Sequence, residues 1–228
     1  MSGTAPEPAR AARQTVLIVD DHPTLRRGLA ALIESESNLA VCGAVATCRA
    51  ALVAIGESHP DLVIVDLALG EGDGLELVKE MKARHREIPT LVLSMHDEAV
   101  YAERCLRAGA RGYIEKQQLD ETVLVAIHRV LEGETYMSPA LQRRLAAKYV
   151  GGRTIETDSP LNTLSDRELQ VFRLVGEGRT TRQIAGTLTL SIKTIESHLE
   201  HIKNKLAIRS STELARRATQ WVESGRAG

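Results

Sequence analysis

The chain of 228 residues is 43% hydrophobic and 26% charged, which is ordinary for a soluble protein and leaves room for two domains. It has no apolar run near the roughly 20 residues that cross a bilayer, and no apolar core in residues 1–14, which argues against a membrane span and a secretory signal. The net charge is −1, but residues 161–228 carry 11 Lys and Arg against 7 Asp and Glu, so a polyanion is expected to bind there.

Residues 1–14 are expected to form a disordered tail of a cytoplasmic protein. Over 15–133, short apolar runs alternate with amphipathic segments. The predicted strands are 15–19, 39–45, 62–65, 90–93 and 112–114. The predicted helices are 23–35, 48–57, 75–84, 98–108 and 120–131. Alternation with such short loops predicts an α/β domain with a doubly wound, five-stranded parallel sheet.

Acidic and polar residues follow four of these strands. Asp20 and Asp21 follow the first strand and Asp66 the third, while Ser94 and Lys116 follow the fourth and fifth. The carboxyl ends of parallel strands form one edge, where three carboxylates would repel by roughly 4 kcal/mol per pair at about 4 Å. Such a cluster requires a cation, and oxygen ligands suit Mg²⁺. One acid alone is equally well explained as a helix N-cap, but the set is not.

These residues stand in motifs that resemble the receiver domain of two-component response regulators. The motifs are VLIVDDHPTLRRGL, DLVIVDLALGEGDGLEL, LVLSMHDE and GARGYIEK, in that order. The resemblance covers 15–133 and implies a flavodoxin-like fold. It implies that Asp66 accepts a phosphoryl group from a sensor histidine kinase. It also implies that Mg²⁺ is held by Asp20, Asp21, Asp66 and the main-chain carbonyl of Ala68.

The same resemblance assigns the surroundings of the phosphoryl group. Lys116 and Ser94 are expected to contact its oxygens, and Tyr113 to turn inward with Ser94, although core packing is the alternative interpretation of this tyrosine. Two positions depart from the family pattern. Gly70 stands where receivers usually have proline, which predicts a looser loop. Gln117 replaces the proline that often follows the lysine, which predicts a trans peptide bond.

Ala68 and His96 flank, by this resemblance, the path of a hydrolytic water. An alanine side chain cannot orient water, so we expect the phosphoryl group to be lost slowly unless His96 substitutes as a hydrogen-bonding group. Timing the decay of the purified phosphoprotein tests this expectation, and rapid decay that depends on His96 would contradict it.

Residues 134–162 are expected to hold a helix and a linker. The segment 138–150 predicts a short helix with Pro139 in its first turn. The following polar stretch GGRTIETDSPLN, residues 151–162, has no apolar period and marks the domain boundary. It is long enough to let the second domain move relative to the first.

The last part of the chain is helical in pattern. Its predicted helices are 166–176, 181–187, 192–206 and 211–223. Capping boxes are expected at Ser165 with Glu168 and at Ser210 with Glu213, and Ser191 is expected to cap the third helix. The tight connection between the second and third helices favours an all-α helix-turn-helix domain.

This region, placed at 163–226, resembles the DNA-binding domain of LuxR-type regulators. The resemblance is carried in order by LSDRE, GEG, QIA, LSIKTIESH and IKNKL. It implies that the third helix enters the major groove of double-stranded DNA. The residues expected to face the groove are Lys193, Thr194, Glu196 and Ser197. The residues expected to hold phosphates are Lys203, Lys205 and Arg182.

Two apolar sets complete the expectations for this domain. The third helix is expected to bury a single stripe, formed by Ile192, Ile195, Leu199, Ile202 and Leu206. In the LuxR family the fourth helix commonly forms a dimer seam, which here would contain Leu214, Ala218 and Trp221. Core packing is the alternative for Trp221.

A receiver joined to such a domain resembles the NarL/FixJ-type response regulators along almost the whole chain. The expected function is a transcription regulator, not an enzyme, in which phosphorylation shifts a population towards a DNA-binding homodimer. A Mg²⁺-dependent phosphatase would usually have DxD after the first strand, where this chain has DDH. A receptor for an apolar signal would need more aromatic residues than the four tyrosines before residue 160. DNA binding without phosphorylation remains an alternative.

Overall fold

The computed structural model describes residues 13–70, 72–118, 121–151 and 159–226. The first domain contains a parallel sheet in the order β2-β1-β3-β4-β5. Its strands are β1 (Gln14–Val19), β2 (Leu39–Val45), β3 (Leu62–Asp66), β4 (Thr90–Ser94) and β5 (Gly112–Glu115). Its helices are α1 (Pro23–Glu34), α2 (Cys48–Ser58), α3 (Gly74–Arg84), α4 (Glu98–Ala108) and α5 (Glu121–Leu131). The predicted five-stranded doubly wound fold is confirmed.

The central strands are buried on both faces, as expected when helices cover both sides of a parallel sheet. Alternate residues belong to two apolar layers: Leu17 and Val63 face one layer, whereas Ile18 and Ile64 face the other. All five residues of β3 and of β4 are buried. Because the strands are parallel, the residues that end β1, β3 and β4 lie along one edge of the sheet.

The described structure begins at the end of the expected N-terminal tail, and it includes residues 13 and 14. Gln14 is the first residue of β1, and its amide donates a hydrogen bond to the Asn38 carbonyl. The Arg13 guanidinium contacts the Glu36 carbonyl at 3.2 Å. Pairing of β1 with β2 therefore begins at residue 14, and residues 1–12 of the expected tail lie outside the described part. In the ranges described, no helix combines the length and the apolarity needed to span a bilayer.

A helix follows the first domain. Helix α6 (Pro139–Gly151) begins after Ser138, whose hydroxyl accepts from the Leu141 amide at 3.0 Å. Residues 152–158 of the expected linker lie outside the described residues. The chain is described again from Ser159, whose side chain accepts from the Leu161 amide at the start of a short 3₁₀ helix (Pro160–Thr163).

The second described domain consists of four α-helices that follow this 3₁₀ helix. They are α7 (Asp166–Gly176), α8 (Thr181–Leu188), α9 (Ile192–Lys205) and α10 (Ser211–Arg226). The capping box at Ser165 and Glu168 is present, and a second one, which the sequence analysis missed, joins Thr180 and Gln183. Ser191 caps α9, as predicted.

Two expectations for this domain are wrong. Ile192 is 43% exposed, because it lies in the first turn of α9 where no neighbouring helix covers it, whereas Ile195 and Ile202 are fully buried. Only one of the two hydrogen bonds of the expected capping box at Ser210 is present. The Ser210 hydroxyl accepts from the Glu213 amide at 3.1 Å, but the Glu213 carboxylate accepts from the amide of Arg209 and not from that of Ser210.

The contact between α7 and α10 depends on a residue without a side chain. A Cβ added to Gly176 would lie 2.4 Å from the Ala218 carbonyl oxygen and 2.7 Å from Val222 Cγ2. Gly176→Ala must therefore push α10 away, and we expect a loss of about 1–3 kcal/mol in urea unfolding of the full chain. The matched control is Gly186→Ala in α8, where nothing lies within 4 Å of the added atom. The control should be neutral or stabilising by about 1 kcal/mol, and equal losses would contradict the prediction.

Candidate phosphorylation site and nucleic-acid interface

An acidic cluster lies at the carboxyl edge of the sheet. Asp20 follows β1 and Asp66 ends β3, and they are 2% and 1% exposed. Asp21 and His22 adjoin them, and one ligand atom from each of the four residues lies within 4.8 Å of the others. The three carboxylates were predicted to meet because they follow strand ends, and in the structure they lie together.

Lys116 supplies the cationic side of this cluster. It follows β5, and its Nζ lies 2.6 Å from Asp20 Oδ2 and 2.7 Å from Asp66 Oδ2. The three side chains are no more than 3% exposed. Burial raises the pKa of Asp66, and Lys116 offsets part of that rise. One buried ammonium thus faces two buried carboxylates, which leaves the cluster short of positive charge.

The remaining oxygen atoms fit a divalent cation. Asp20 Oδ2 and Asp21 Oδ1 are buried and accept no hydrogen bond of good geometry, although the former lies close to Lys116 and His22 Nδ1 lies 2.7 Å from the latter. Buried carboxylate oxygens without donors are costly unless a cation or water contacts them. Hard oxygen donors with space for water are the set that Mg²⁺ prefers.

The loop after β3 is built around this cluster. The Ala68 amide donates to Asp66 Oδ1 at 3.0 Å, and the Gly70 amide donates to Asp21 Oδ2 at 2.9 Å. A proline at position 70 would have no N–H for the second bond, so the departure from the family pattern adds a hydrogen bond to the acidic cluster. Gly74 is also required, since a Cβ there would lie 2.1 Å from the Asp66 carbonyl oxygen.

Ser94 ends β4 and Tyr113 lies within the neighbouring β5, and both side chains are buried. Ser94 Oγ accepts from the His96 amide at 3.1 Å, and Tyr113 donates its hydroxyl to the His96 carbonyl at 2.6 Å. Tyr113 is 1% exposed and points inward, and burial raises the pKa of its hydroxyl. The described peptide bonds are all trans, as expected at Gln117.

The solvent face of α9 is open. Lys193, Glu196 and Ser197 are exposed, as is Arg182 on α8. Thr194 is half-buried, and its hydroxyl lies 2.8 Å from the N-cap Ser191 hydroxyl. The first turns of α9 therefore present charged and hydroxyl groups to solvent, and the described residues of the receiver leave them exposed.

The two lysines near the end of α9 are already paired. Lys203 lies 2.5 Å from Glu200, and Lys205 lies 2.7 Å from Glu168 on α7. A DNA phosphate would have to compete with these carboxylates for either lysine. The pair of Lys203 with the exposed Glu200 is weak, typically below about 1 kcal/mol, so a phosphate can compete for Lys203. Glu168 is only 5% exposed, so Lys205 is the harder of the two lysines to withdraw from its partner.

The two domains contact each other through α3 and α4 of the receiver. Arg104 is 7% exposed and donates to Asp166 Oδ1 at 2.9 Å and to the carbonyls of Leu161 and Leu164 at 3.0 and 2.7 Å. Lys79 lies 2.9 Å from the other oxygen of Asp166. Burial alone would raise the pKa of Asp166, but the hydrogen bonds from the two cations outweigh it and lower this pKa.

The apolar residues of α10, the fourth helix of the second domain, pack against other parts of the same chain. Leu214 and Ala218 are 2% and 0% exposed, and Trp221 packs on Phe172 and on Tyr101 of the receiver. In this arrangement the residues expected in a dimer seam are instead packed within the chain.

The contact between the two domains was not predicted from the sequence. One signal was present: Arg104 stands on the apolar side of α4, between Tyr101 and Cys105, where a charged residue needs a buried partner. Its partner Asp166 lies 62 residues further along the chain, and no local pattern identifies it.

Two family models match the chain, the response regulator receiver domain over 16–128 and the luxR family of bacterial regulatory proteins over 162–218. The oxygen regulatory protein NreC of Staphylococcus haemolyticus is 34% identical over 203 residues, which are 87% of this chain and 94% of NreC. NreC of Staphylococcus aureus has the same identity and coverage.

A solved structure of RcsB from Salmonella enterica serovar Typhimurium, bound to promoter rprA with the phosphomimetic BeF3⁻, is also similar. It has 25% identity and a TM-score of 0.71, and the match covers 91% of this chain and 98% of RcsB. Both domains and their order are thus those of a known class of transcription regulators. The chain belongs to the NarL/FixJ-type response regulators, in which a receiver domain is joined to a LuxR-type DNA-binding domain.

Proposed function

We propose that Asp66 is the residue that accepts the phosphoryl group. It is the carboxylate at the centre of the cluster, with Lys116 on one oxygen and the Ala68 amide on the other. Lys116 would neutralise the incoming charge, and Ser94 would donate its hydroxyl to a phosphoryl oxygen. The observation that carries this proposal is the buried contact of Lys116 with both Asp20 and Asp66.

Mg²⁺ would be held by Asp20, Asp21, Asp66 and the main-chain carbonyl of Ala68. The support is the excess of carboxylates over buried cations in the cluster, together with two buried oxygens, Asp20 Oδ2 and Asp21 Oδ1, that accept no hydrogen bond of good geometry. When bound, the ion would supply the positive charge that offsets the phosphoryl oxygens. The protein's own part is to hold the Asp66 carboxylate still: its loop is fixed by main-chain hydrogen bonds, and its neighbour Gly74 allows the close approach of α3.

A sensor histidine kinase is the proposed phosphoryl donor, as the receiver domain implies. An apolar groove of about 650 Å³ runs along α1 and reaches Lys116, so a partner in the groove would lie beside the phosphorylation pocket. Its walls include Leu25, Leu29, Leu32 and Met95. A groove of this kind suits the apolar face of a helix, and we propose that the phosphohistidine-bearing helix of the kinase docks here.

Double-stranded DNA is the proposed target of α9, and the cytoplasm is the proposed location of the protein. Lys193, Thr194, Glu196 and Ser197 would face the major groove, with Arg182, Lys203 and Lys205 on phosphates. Phosphorylation would favour a homodimer that reads two half-sites about 34 Å apart. RcsB binds promoter DNA in the presence of a phosphomimetic, which supports the comparison.

The test compares DNA binding by the wild-type chain and by Asp66→Ala, each with Mg²⁺ and beryllofluoride, on fragments selected from random and genomic DNA. We expect the mimic to tighten binding and promote dimers in the wild type only, because Asp66→Ala lacks the group on which the mimic assembles. Sedimentation and a binding titration at constant salt provide the readouts.

Two other results would each contradict one part of the proposal. Equal binding by both proteins would leave DNA binding intact and overturn the phosphorylation switch. Absence of sequence-selective binding in every state would contradict the proposed role of α9.

A further inference from the structure

A cleft of about 680 Å³ lies between the receiver and the second domain. The receiver contributes α3, α4 and the turn after α3 to its walls, and the second domain contributes residues 162 and 164–166. The charged side chains in these walls are five cations and one carboxylate: Lys79, Lys82, Arg86, Arg104, Arg107 and Asp166. Because the whole chain has a net charge of −1, this excess of positive charge is a local feature.

Two of the cations are neutralised within the domain contact. The Asp166 carboxylate lies 2.9 Å from Arg104 on one oxygen and 2.9 Å from Lys79 on the other. Lys79 also lies 2.9 Å from Glu76. These two cations therefore hold the domains together and have little charge left for a ligand.

The other three cations are exposed and are held side by side. Lys82 Nζ donates to the Arg107 carbonyl at 3.1 Å, and Arg86 Nε donates to the Lys82 carbonyl at 3.2 Å. Cations favour such positions at the C-terminal ends of helices. Their acceptors are neutral, however, and among the described residues neither Lys82 nor Arg86 forms an ion pair, while Arg107 lies 3.9 Å from Glu103. Ammonium and guanidinium groups have several N–H donors, so most of these remain available to an anion.

A second hollow, of about 610 Å³, adjoins the cleft and shares Lys82 and Arg86 with it. It lies at the amino end of the strands, since Thr90 begins β4 and Arg111 precedes β5, and the acidic pocket is at the opposite edge of the sheet. None of the described residues in its lining is acidic. Its apolar walls are formed by Ile88, Pro89, Leu106, Met137 and Leu145. A hollow with apolar walls and a few polar groups is typical of small-molecule sites.

We propose that the cleft and the adjoining hollow form one binding site for a small molecule with a diphosphate or longer phosphate group on an apolar or aromatic body. Lys82, Arg86 and Arg107 would bind the phosphate oxygens through charge-assisted hydrogen bonds, and the body would lie in the hollow. A diphosphate suits three adjacent cations better than one carboxylate does, because its charge is spread over several oxygens. Since residues of both domains line the cleft, the ligand would stabilise their docked arrangement.

Calorimetric titration of the full chain with inorganic pyrophosphate tests the cationic part of the site. The buffer has constant ionic strength and no Mg²⁺, so that the acidic pocket at Asp66 repels the probe. We expect saturable binding by the wild type, and binding weaker by about tenfold or more in Lys82→Gln/Arg86→Gln. The matched control, Arg27→Gln/Arg84→Gln, removes the same charge from exposed positions that line neither cavity and should weaken binding by less than about twofold.

Titration with ADP tests the hollow. We expect ADP to bind more tightly than pyrophosphate, by about fivefold or more, because its base would remove apolar surface of the hollow from water. Met137→Ala should reduce this difference and leave pyrophosphate binding unchanged. Equal binding of ADP and pyrophosphate by the wild type would overturn the assignment of the hollow.

Two results would overturn the whole site. One is an equal loss of pyrophosphate binding in the two double variants, which would show attraction by net charge alone. The other is the absence of saturable pyrophosphate binding; if Lys82→Gln/Arg86→Gln then binds selected DNA more weakly, these cations contact DNA instead. Neither result depends on phosphorylation of Asp66, so the proposed function is tested separately.

Discussion

Lys116→Ala should destabilise the receiver by about 3–5 kcal/mol in Mg²⁺-free buffer at neutral pH. The substitution leaves Asp20 and Asp66 facing each other with side chains no more than 3% exposed and without their cation. Removing one partner of a buried ion pair carries a cost of this size because the other charge stays desolvated. Urea unfolding measures the loss, and added Mg²⁺ should restore part of it.

The pH dependence of this loss has a definite sign. Burial raises the pKa of Asp66, and the variant loses the ammonium that offsets part of the rise. At pH values between the unfolded and the folded pKa, the folded variant therefore holds a proton that the unfolded chain releases. A raised carboxyl pKa favours folding at low pH and loses that contribution as pH rises through the folded pKa. The difference in the free energy of unfolding between Lys116→Ala and the wild type should therefore become smaller as the pH is lowered. Arg27→Ala, an exposed cation on α1, is the control, and a pH-independent gap would contradict the explanation.

Arg104→Ala should separate the two domains. It removes the ion pair with Asp166 and leaves the Leu164 carbonyl without its buried donor, for a loss of about 3 kcal/mol at the contact. We expect the unfolding of the full chain to split into two transitions and the radius of gyration from X-ray scattering to rise. Each domain should remain folded, because Arg104 contributes to the contact between the domains and not to either hydrophobic core.

The matched control for this variant is one turn away on the same helix. Arg107 is 71% exposed and lies 3.9 Å from Glu103, so Arg107→Ala should cost no more than about 0.5 kcal/mol. If both variants unfold like the wild type, the docked arrangement does not depend on Arg104. If Arg104→Ala also exposes Trp221 without a phosphoryl mimic, the polar and aromatic parts of the contact act together.

Much of the site followed from local pattern. Asp20, Asp66 and Lys116 were predicted to meet because each follows a strand, and parallel strands end at one edge. The same reasoning missed Gly74, since a glycine in a loop gives no sign of how closely another backbone approaches it. It also placed Ile192 in the apolar stripe, because periodicity assumes that a neighbour covers every turn of a helix, and the first turn of α9 has none.

The sequence by itself determined the two folds, their order, the acidic pocket and the helix that presents charged and hydroxyl groups to solvent, because these depend on periodicity and on residues close together in the chain. Only the tertiary structure decided how the domains meet. The contact joins Arg104 to Asp166 and His96 to Trp221, over separations that no local pattern spans. Its energy comes from burying charges and rings against partners that exist only once both domains have folded.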